Sequence, residues 1–219
     1  MKKPIISPSV LNADLNHFDN EVKKIKSANM KWIHFDVMDG HFVEAVKFEL
    51  PLLKELSNKI DLFKDVHIMI KNPLASVSKY KEAGADQLTF HYEACKDDEE
   101  VNEVINKIHQ NNMKAGISIK PLTPVEKIYP FLKDLDIVLI MSVEPGKGGQ
   151  KFIESSLDKI SLLRKEIDRV GAKTLISVDG GINDITAPKC LSAGVDVLVV
   201  GQYLFGHDDF LVRYERLFK

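Results

Sequence analysis

Residues 32–42 read Trp32-Ile-His-Phe-Asp-Val-Met-Asp-Gly-His-Phe42, a strand-like run into which two His and two Asp are crowded. Trp32 to Val37 has the short apolar character of a buried strand, and Asp39-Gly40 turns the chain out of it. His34 and Asp36 are two positions apart, so strand alternation puts both on one face. Outward from this run the same rhythm repeats. Short runs rich in Val, Ile and Leu alternate with longer, charged, helix-period segments, the signature of parallel βα units. The strands are expected at Ile5–Leu11, Trp32–Val37, Phe63–Ile70, Gln87–His91, Lys114–Ile119, Ile137–Ser142, Thr174–Asp179 and Val195–Gly201, each followed by a helical pattern.

Eight units in 219 residues average about 27 each, which suits a closed (β/α)8 barrel of roughly 200 residues or more. An open doubly wound sheet more often has five or six strands. The expected fold is therefore α/β, a single-domain (β/α)8 TIM barrel over residues 1–219. Asn12-Ala-Asp14 offers capping residues before Leu15, and Ala83-Gly84-Ala85-Asp86 and Ala193-Gly194-Val195-Asp196 place Gly where helices stop.

Composition removes several function classes. Lys and Arg total 30 against 32 Asp and Glu, a net charge of -2 without a strongly basic run, so nucleic acid is not an expected partner. Cys95 and Cys190 are too few for a disulfide framework and lack metal-finger spacing. The opening Met-Lys-Lys-Pro-Ile-Ile-Ser-Pro has no long apolar stretch, and nowhere do eighteen apolar residues run together. A cytoplasmic setting without membrane contact is expected.

Barrel active sites form at the C-terminal ends of strands. There stand Ser9 in the first strand, His34 and Asp36 in the second, His67 in the third and Asp179 at the end of the seventh. Two His and two Asp converging from three strands make a mixed nitrogen and oxygen site for a divalent zinc, iron, manganese or cobalt ion, and the same carboxylates could shuttle protons. Any one of them alone could equally satisfy a buried hydrogen bond; the four together point to a site. Pro145-Gly-Lys-Gly-Gly-Gln150, Asp179-Gly-Gly-Ile182 and Gly201-Gln202 follow the last three strands and form one expected phosphate cradle, where backbone N–H groups can approach an anion. Met38, Met69 and Met141 sit near strand ends, as core filler or as soft walls of the site.

These residues closely resemble the ribulose-phosphate 3-epimerase family. The likeness rests on Ser7-Pro-Ser9-Val-Leu11, His34-Phe-Asp36-Val-Met-Asp-Gly-His-Phe-Val43, Asp65-Val-His67-Ile-Met69, Met141-Ser-Val-Glu-Pro-Gly146, Gly148-Gly-Gln150 and Val178-Asp-Gly-Gly-Ile182. It runs from about residue 5 to 206 and implies the TIM-barrel fold already expected. It also implies interconversion of D-ribulose 5-phosphate and D-xylulose 5-phosphate by proton removal at C3 and return to the opposite face. By resemblance, Asp36 and Asp179 are the acid/base pair. His34, Asp36, His67 and Asp179 hold one divalent metal ion, zinc first, with iron, manganese or cobalt as alternatives. Ser9, His67, Gly146, Lys147, Gly148, Gly149, Asp179, Gly180, Gly181, Gly201 and Gln202 contact the phosphorylated ketose. A Lewis acid at the site would stabilise the enediolate by several kcal/mol. The resemblance further implies a homo-oligomer, dimer or hexamer, and a place in the pentose phosphate pathway. His91 and Glu93 match a recurrent stretch of the family and are expected to support the site by hydrogen bonding; His17, His109 and His207 are expected to face solvent.

Three departures stand out. Lys147 replaces an aromatic residue usual in the loop after the sixth strand, Gln202 replaces the Ser usual after the eighth, and Glu44-Ala-Val-Lys47 replaces the common Pro-Asn-Ile-Thr. Lys147 is either an added charge for the phosphate or a solvated loop side chain. The third change, near the mouth, keeps open a related phosphoketose 3-epimerase, such as one acting on D-allulose 6-phosphate. A non-catalytic phosphosugar-binding protein is the reading from another class, and the presence of all four metal-site residues argues against it.

Overall fold

The computed structural model describes residues 3–219; Met1 and Lys2, the start of the basic opening, lie outside the described residues. Eight parallel strands follow the expected order: β1 Ile5–Pro8, β2 Trp32–Asp39, β4 Phe63–Met69, β5 Gln87–His91, β6 Lys114–Ile119, β7 Ile137–Met141, β8 Leu175–Asp179 and β9 Val197–Val200. Sheet order is β1-β9-β8-β7-β6-β5-β4-β2, and a parallel bridge between Ser9 and His34 joins the two ends into a TIM barrel.

The helices are α1 Phe18–Ser27, α2 Leu50–Ser57, α3 Pro73–Glu82, α4 Asp98–Gln110, α5 Ser156–Val170, α6 Thr186–Ala193 and α7 Phe210–Arg216. α4 shows why such segments coil. The Asp97 side chain accepts from Glu100 N–H at the start, Asp98, Glu99 and Glu100 complement the positive end of the helix dipole, and Val101, Val104, Ile105 and Ile108 make one buried stripe. That stripe packs on the sheet, whose outward residues Phe35, Val66, Leu88, Phe90 and Ile117 are fully buried in the main core. Alternate residues point into the barrel. Leu139, Met141, Val143 and Val199 form a separate small apolar cluster there.

The repeated Gly-x-Asp endings have a structural use. Gly84 and Gly194 take positive φ values of 98° and 112°, and the next Asp in each case ties down the start of a neighbouring strand. Asp86 Oδ2 accepts from Lys64 N–H at 2.9 Å, and Asp196 Oδ2 accepts from Ile176 N–H at 2.8 Å. Asp136 does the same for Ala115 N–H at 2.9 Å without a preceding Gly.

Several boundaries differ from the sequence reading. The first strand ends at Pro8 rather than Leu11, because the chain turns into a 3-10 helix, Val10–Asn12, capped by the Ser9 hydroxyl. The last runs only over Val197–Val200 rather than Val195–Gly201, since Val195 still closes the preceding helix through its N–H to Cys190 O. After β6 the connection is a 3-10 helix, Val125–Phe131, instead of an α-helix; Pro130 inside it has no N–H to donate. A ninth strand, β3 Val46–Lys47, pairs antiparallel with β2 and was not anticipated. It lies in the Glu44 to Lys47 stretch, which departs from the pattern the chain otherwise resembles.

Candidate active site

The alternation along β2 and β4 puts His34, Asp36, Asp65 and His67 inside the barrel, and all four are buried. His34 Nε2 and His67 Nδ1 each lie 3.2 Å from the same oxygen, Asp36 Oδ1. Asp36 Oδ2 accepts from the Ser9 hydroxyl at 2.6 Å. Asp179, at the end of β8, completes the group: one ligand atom from each of His34, Asp36, His67 and Asp179 lies within 4.8 Å of the other three. Four side chains expected together are thus brought together.

The neighbours of this group are equally ordered. Asp65 Oδ2 lies 2.8 Å from His34 Nδ1, while Ser7 Oγ and Gln87 Nε2 donate to Asp65 at 3.1 and 2.7 Å. An imidazole donating from Nδ1 to Asp65 turns Nε2 toward Asp36. His91 Nε2 lies 2.9 Å from His67 Nε2, and Glu93 Oε2 lies 3.1 Å from His91 Nδ1, the supporting places expected for His91 and Glu93. Asp39 is a turn residue, accepting from the N–H groups of His41 and Phe42 at 2.8 Å and of Lys71 at 2.9 Å.

Charge explains what this arrangement attracts. Burial opposes a charge on His34, yet the carboxylates of Asp65 and Asp36 outweigh it and hold the imidazole well above its ordinary value. Burial likewise opposes ionisation of Asp36, but the charge and hydrogen bond of His34 hold that carboxyl below the carboxylate range. Burial and the charge of Asp36 push the Asp179 carboxyl up to about 7. Burial keeps His67 below the usual imidazole value. Negative charge is in excess, and a cation belongs here. Two ring nitrogens and two carboxylates in reach of one point, with no Lys or Arg among them, fit a divalent metal ion.

Glu93 carries a prediction of its own. Burial raises its pKa, but hydrogen bonds from His91, Thr123 and Lys120 N–H prevail and lower it from the usual 4.5 to about 2. A depressed carboxyl stabilises the fold above about pH 4.5, and that contribution, up to about 3 kcal/mol, disappears as pH falls toward 2. Urea midpoints at about pH 5 and pH 3 should therefore converge in Glu93→Gln relative to the native protein. An unchanged gap between the two pH values would rule out this contribution.

Above the group opens a cavity of about 550 Å³, with Ser9, Asp36, Asp179, Met38, Met69 and Met141 among its lining residues. The methionines serve both readings, being 2% exposed and also forming the wall. Gly146, Lys147, Gly148, Gly149, Gly180, Gly181, Gly201 and Gln202 line the same cavity, so the three glycine loops share it with Asp36 and Asp179; His67, expected at the substrate, is fully buried and is not among the lining residues. A methyl group on Gly180 would come within 2.5 Å of Val143 Cγ2, and Gly180 and Gly181 have φ values of 121° and 64°, so side chains are excluded at this turn. Lys147 is exposed at the rim.

Sequence reasoning left some residues out. Asp65 could have been found by alternation from His67, two positions away. Asn12, Asn183, Tyr203 and Arg213 reach the cavity from a 3-10 helix, a helix-capping loop, the loop after β9 and α7, where no local pattern marks them. His207 is a correction: expected to face solvent, it is half-buried and lines the cavity because the loop after β9 folds back over the barrel mouth. His17 is exposed as expected, and His109 lies near the surface against Asp136 at 3.0 Å.

Comparison with known proteins follows the same lines. The profile described as the ribulose-phosphate 3 epimerase family matches residues 5–205. A ribulose-phosphate 3-epimerase of Mycobacterium bovis is 43% identical over 206 residues, 94% of this chain and 88% of the relative. One of Bacillus subtilis is 41% identical over 205 residues, 93% of each. Among solved structures, 3-hexulose-6-phosphate synthase from Salmonella typhimurium superposes with a TM-score of 0.70 at 15% identity, covering 97% of this chain and 96% of that one. That likeness bears on the fold.

Proposed function

The chain belongs to the ribulose-phosphate 3 epimerase family, and from that premise we propose that it interconverts D-ribulose 5-phosphate and D-xylulose 5-phosphate, with Asp36 and Asp179 as its two proton carriers. The observation that carries this reading is the convergence of both carboxylates with His34 and His67, the carboxylates lining one cavity that the glycine loops also line. A ketose phosphate laid along that cavity has its phosphate at Gly146 to Gly149, Gly180, Gly181, Gly201 and Gln202, with Lys147 at the rim adding positive charge. Its C3 then falls near the carboxylates.

Epimerisation needs one group to take the C3 proton and another to return one on the opposite face. Asp36 and Asp179 come from β2 and β8, separate strands of the barrel, which suits approach from two sides. Ser9, donating to Asp36 Oδ2, orients that carboxylate and reaches the cavity itself. The buried methionines exclude water from the reacting carbon. His34, Asp36, His67 and Asp179 would hold a divalent ion, zinc first and iron, manganese or cobalt as alternatives, whose chemistry is Lewis-acid stabilisation of the negative charge that proton removal creates. The pentose phosphate pathway, a cytoplasmic setting and a homo-oligomer go with this assignment. No helix among the described residues is long and apolar enough to cross a membrane.

The departure at Glu44 to Lys47, which forms the β3 ribbon beside the mouth, favours keeping D-allulose 6-phosphate as a second substrate candidate. Proton NMR in deuterated water distinguishes them. Deuterium entering C3 of D-ribulose 5-phosphate as xylulose 5-phosphate appears is the expected result. Exchange restricted to the hexose phosphate would transfer the assignment, and exchange with neither would end the epimerase reading.

A further inference from the structure

Glu93 lies outside the four-residue group, yet it is connected to it through two imidazoles. One oxygen of Glu93, Oε1, accepts from Lys120 N–H at 2.7 Å and from the Thr123 hydroxyl. The other, Oε2, faces His91 Nδ1 at 3.1 Å. A carboxylate only accepts, so His91 Nδ1 carries the hydrogen. His91 Nε2 and His67 Nε2 stand 2.9 Å apart, a distance that requires one hydrogen between them. Both rings are fully buried, which disfavours a second proton on His91, so the shared hydrogen belongs to His67 Nε2. Two neutral rings bring two hydrogens to three contacts, so His67 Nδ1 is left with its lone pair at the longest of them, 3.2 Å from Asp36 Oδ1, which accepts from His34 Nε2 instead.

We propose that Glu93 is a positioning residue which, through His91, fixes His67 in the tautomer that turns an unprotonated Nδ1 toward the metal-binding group. This rests on the reading that His67 is one of four metal ligands. The relay also ties the site to the loop after β6: Lys120 supplies its N–H to Glu93, and its Nζ sits 4.2 Å from the Phe42 ring, which packs on His91 at 4.7 Å between centroids. Carboxylate-held ligating imidazoles are common around metal ions. Here the carboxylate acts one ring further out.

The geometry predicts a specific failure in Glu93→Gln. The amide oxygen must take the place of Oε1, because Lys120 N–H and the Thr123 hydroxyl both point there. Its NH2 then faces His91 Nδ1. His91 must accept there, donate from Nε2, and leave His67 protonated at Nδ1. The volume is unchanged, while the hydrogen bonds of the whole relay reverse.

Two measurements on the full chain test this. In metal-free native protein, long-range 15N–1H NMR should show His67 as the Nε2–H tautomer and His91 as Nδ1–H, whatever the variant does. In Glu93→Gln both should switch, and chelator competition should show zinc binding about 10- to 100-fold weaker, the usual cost of losing such an outer partner. Native His67 found with its hydrogen on Nδ1, or a variant with the native tautomer and zinc affinity within twofold of native, would overturn the relay. Failure of the metal reading looks different: native protein that takes up no zinc while its tautomers are as stated, and reverse in the variant, would remove the ion and uphold the relay.

Discussion

Asp36→Asn and Asp179→Asn should each abolish epimerisation, lowering kcat/KM by about 10³-fold or more, since a positioned proton carrier alone is worth roughly 10²–10⁴-fold. The two variants should fail in complementary ways. With one carboxylate left, the protein can still remove and return the proton on the face which that carboxylate serves, so deuterium enters C3 of one epimer without its conversion into the other. The second variant should exchange the other epimer. Both residues also belong to the metal-binding group, and complete loss of exchange in a variant that still binds zinc would assign that carboxylate to both faces. Epimerisation by either variant within tenfold of native would remove it from the reaction. The measurement is proton NMR in deuterated water, started separately from each pentose phosphate.

Removal of the ion should have the second large effect. Dialysis against a chelator is expected to leave under about 1% of activity, restored by zinc, manganese, cobalt or ferrous ion, because several kcal/mol of charge stabilisation goes with it. Folding stability should fall as well. An ion held at 100 to 1,000 times its Kd contributes about 3–4 kcal/mol, and a chain of this size gains roughly 2–4 °C in Tm per kcal/mol, so a drop of about 6–16 °C is expected. The sign with pH is fixed by His34. Its imidazole is held protonated by Asp65 and Asp36, and that proton must leave for Nε2 to bind a cation, so affinity should rise with pH until His34 is deprotonated. Calorimetric Tm values with and without chelator that coincide would contradict the metal site directly.

What the sequence by itself determined about this protein is what local periodicity can carry. Eight apolar runs between helical segments specified a parallel barrel, and a spacing of two between His34 and Asp36 specified that they share a face, because the strand period acts over neighbouring residues. Gly84 and Gly194 marked helix ends for the same local reason. Boundaries were less legible at Pro8 and Pro130, where a missing N–H and a turn hydroxyl decide between strand, α-helix and 3-10 helix over a few residues. The tertiary structure alone decided the rest. Ser9 meets Asp36 across 27 positions of sequence once the Ser9–His34 bridge joins the barrel ends, and His34 meets Asp65 across 31 once β2 pairs with β4. The tautomers of His34 and His67 follow from those cross-strand partners, and no pattern along the chain encodes which ring nitrogen carries a hydrogen. Arg213 and His207 line the cavity for a similar reason: the loop after β9 and α7 return to the barrel mouth by packing, which buries Phe205 against Phe210, and position in space rather than position in sequence makes them part of the site.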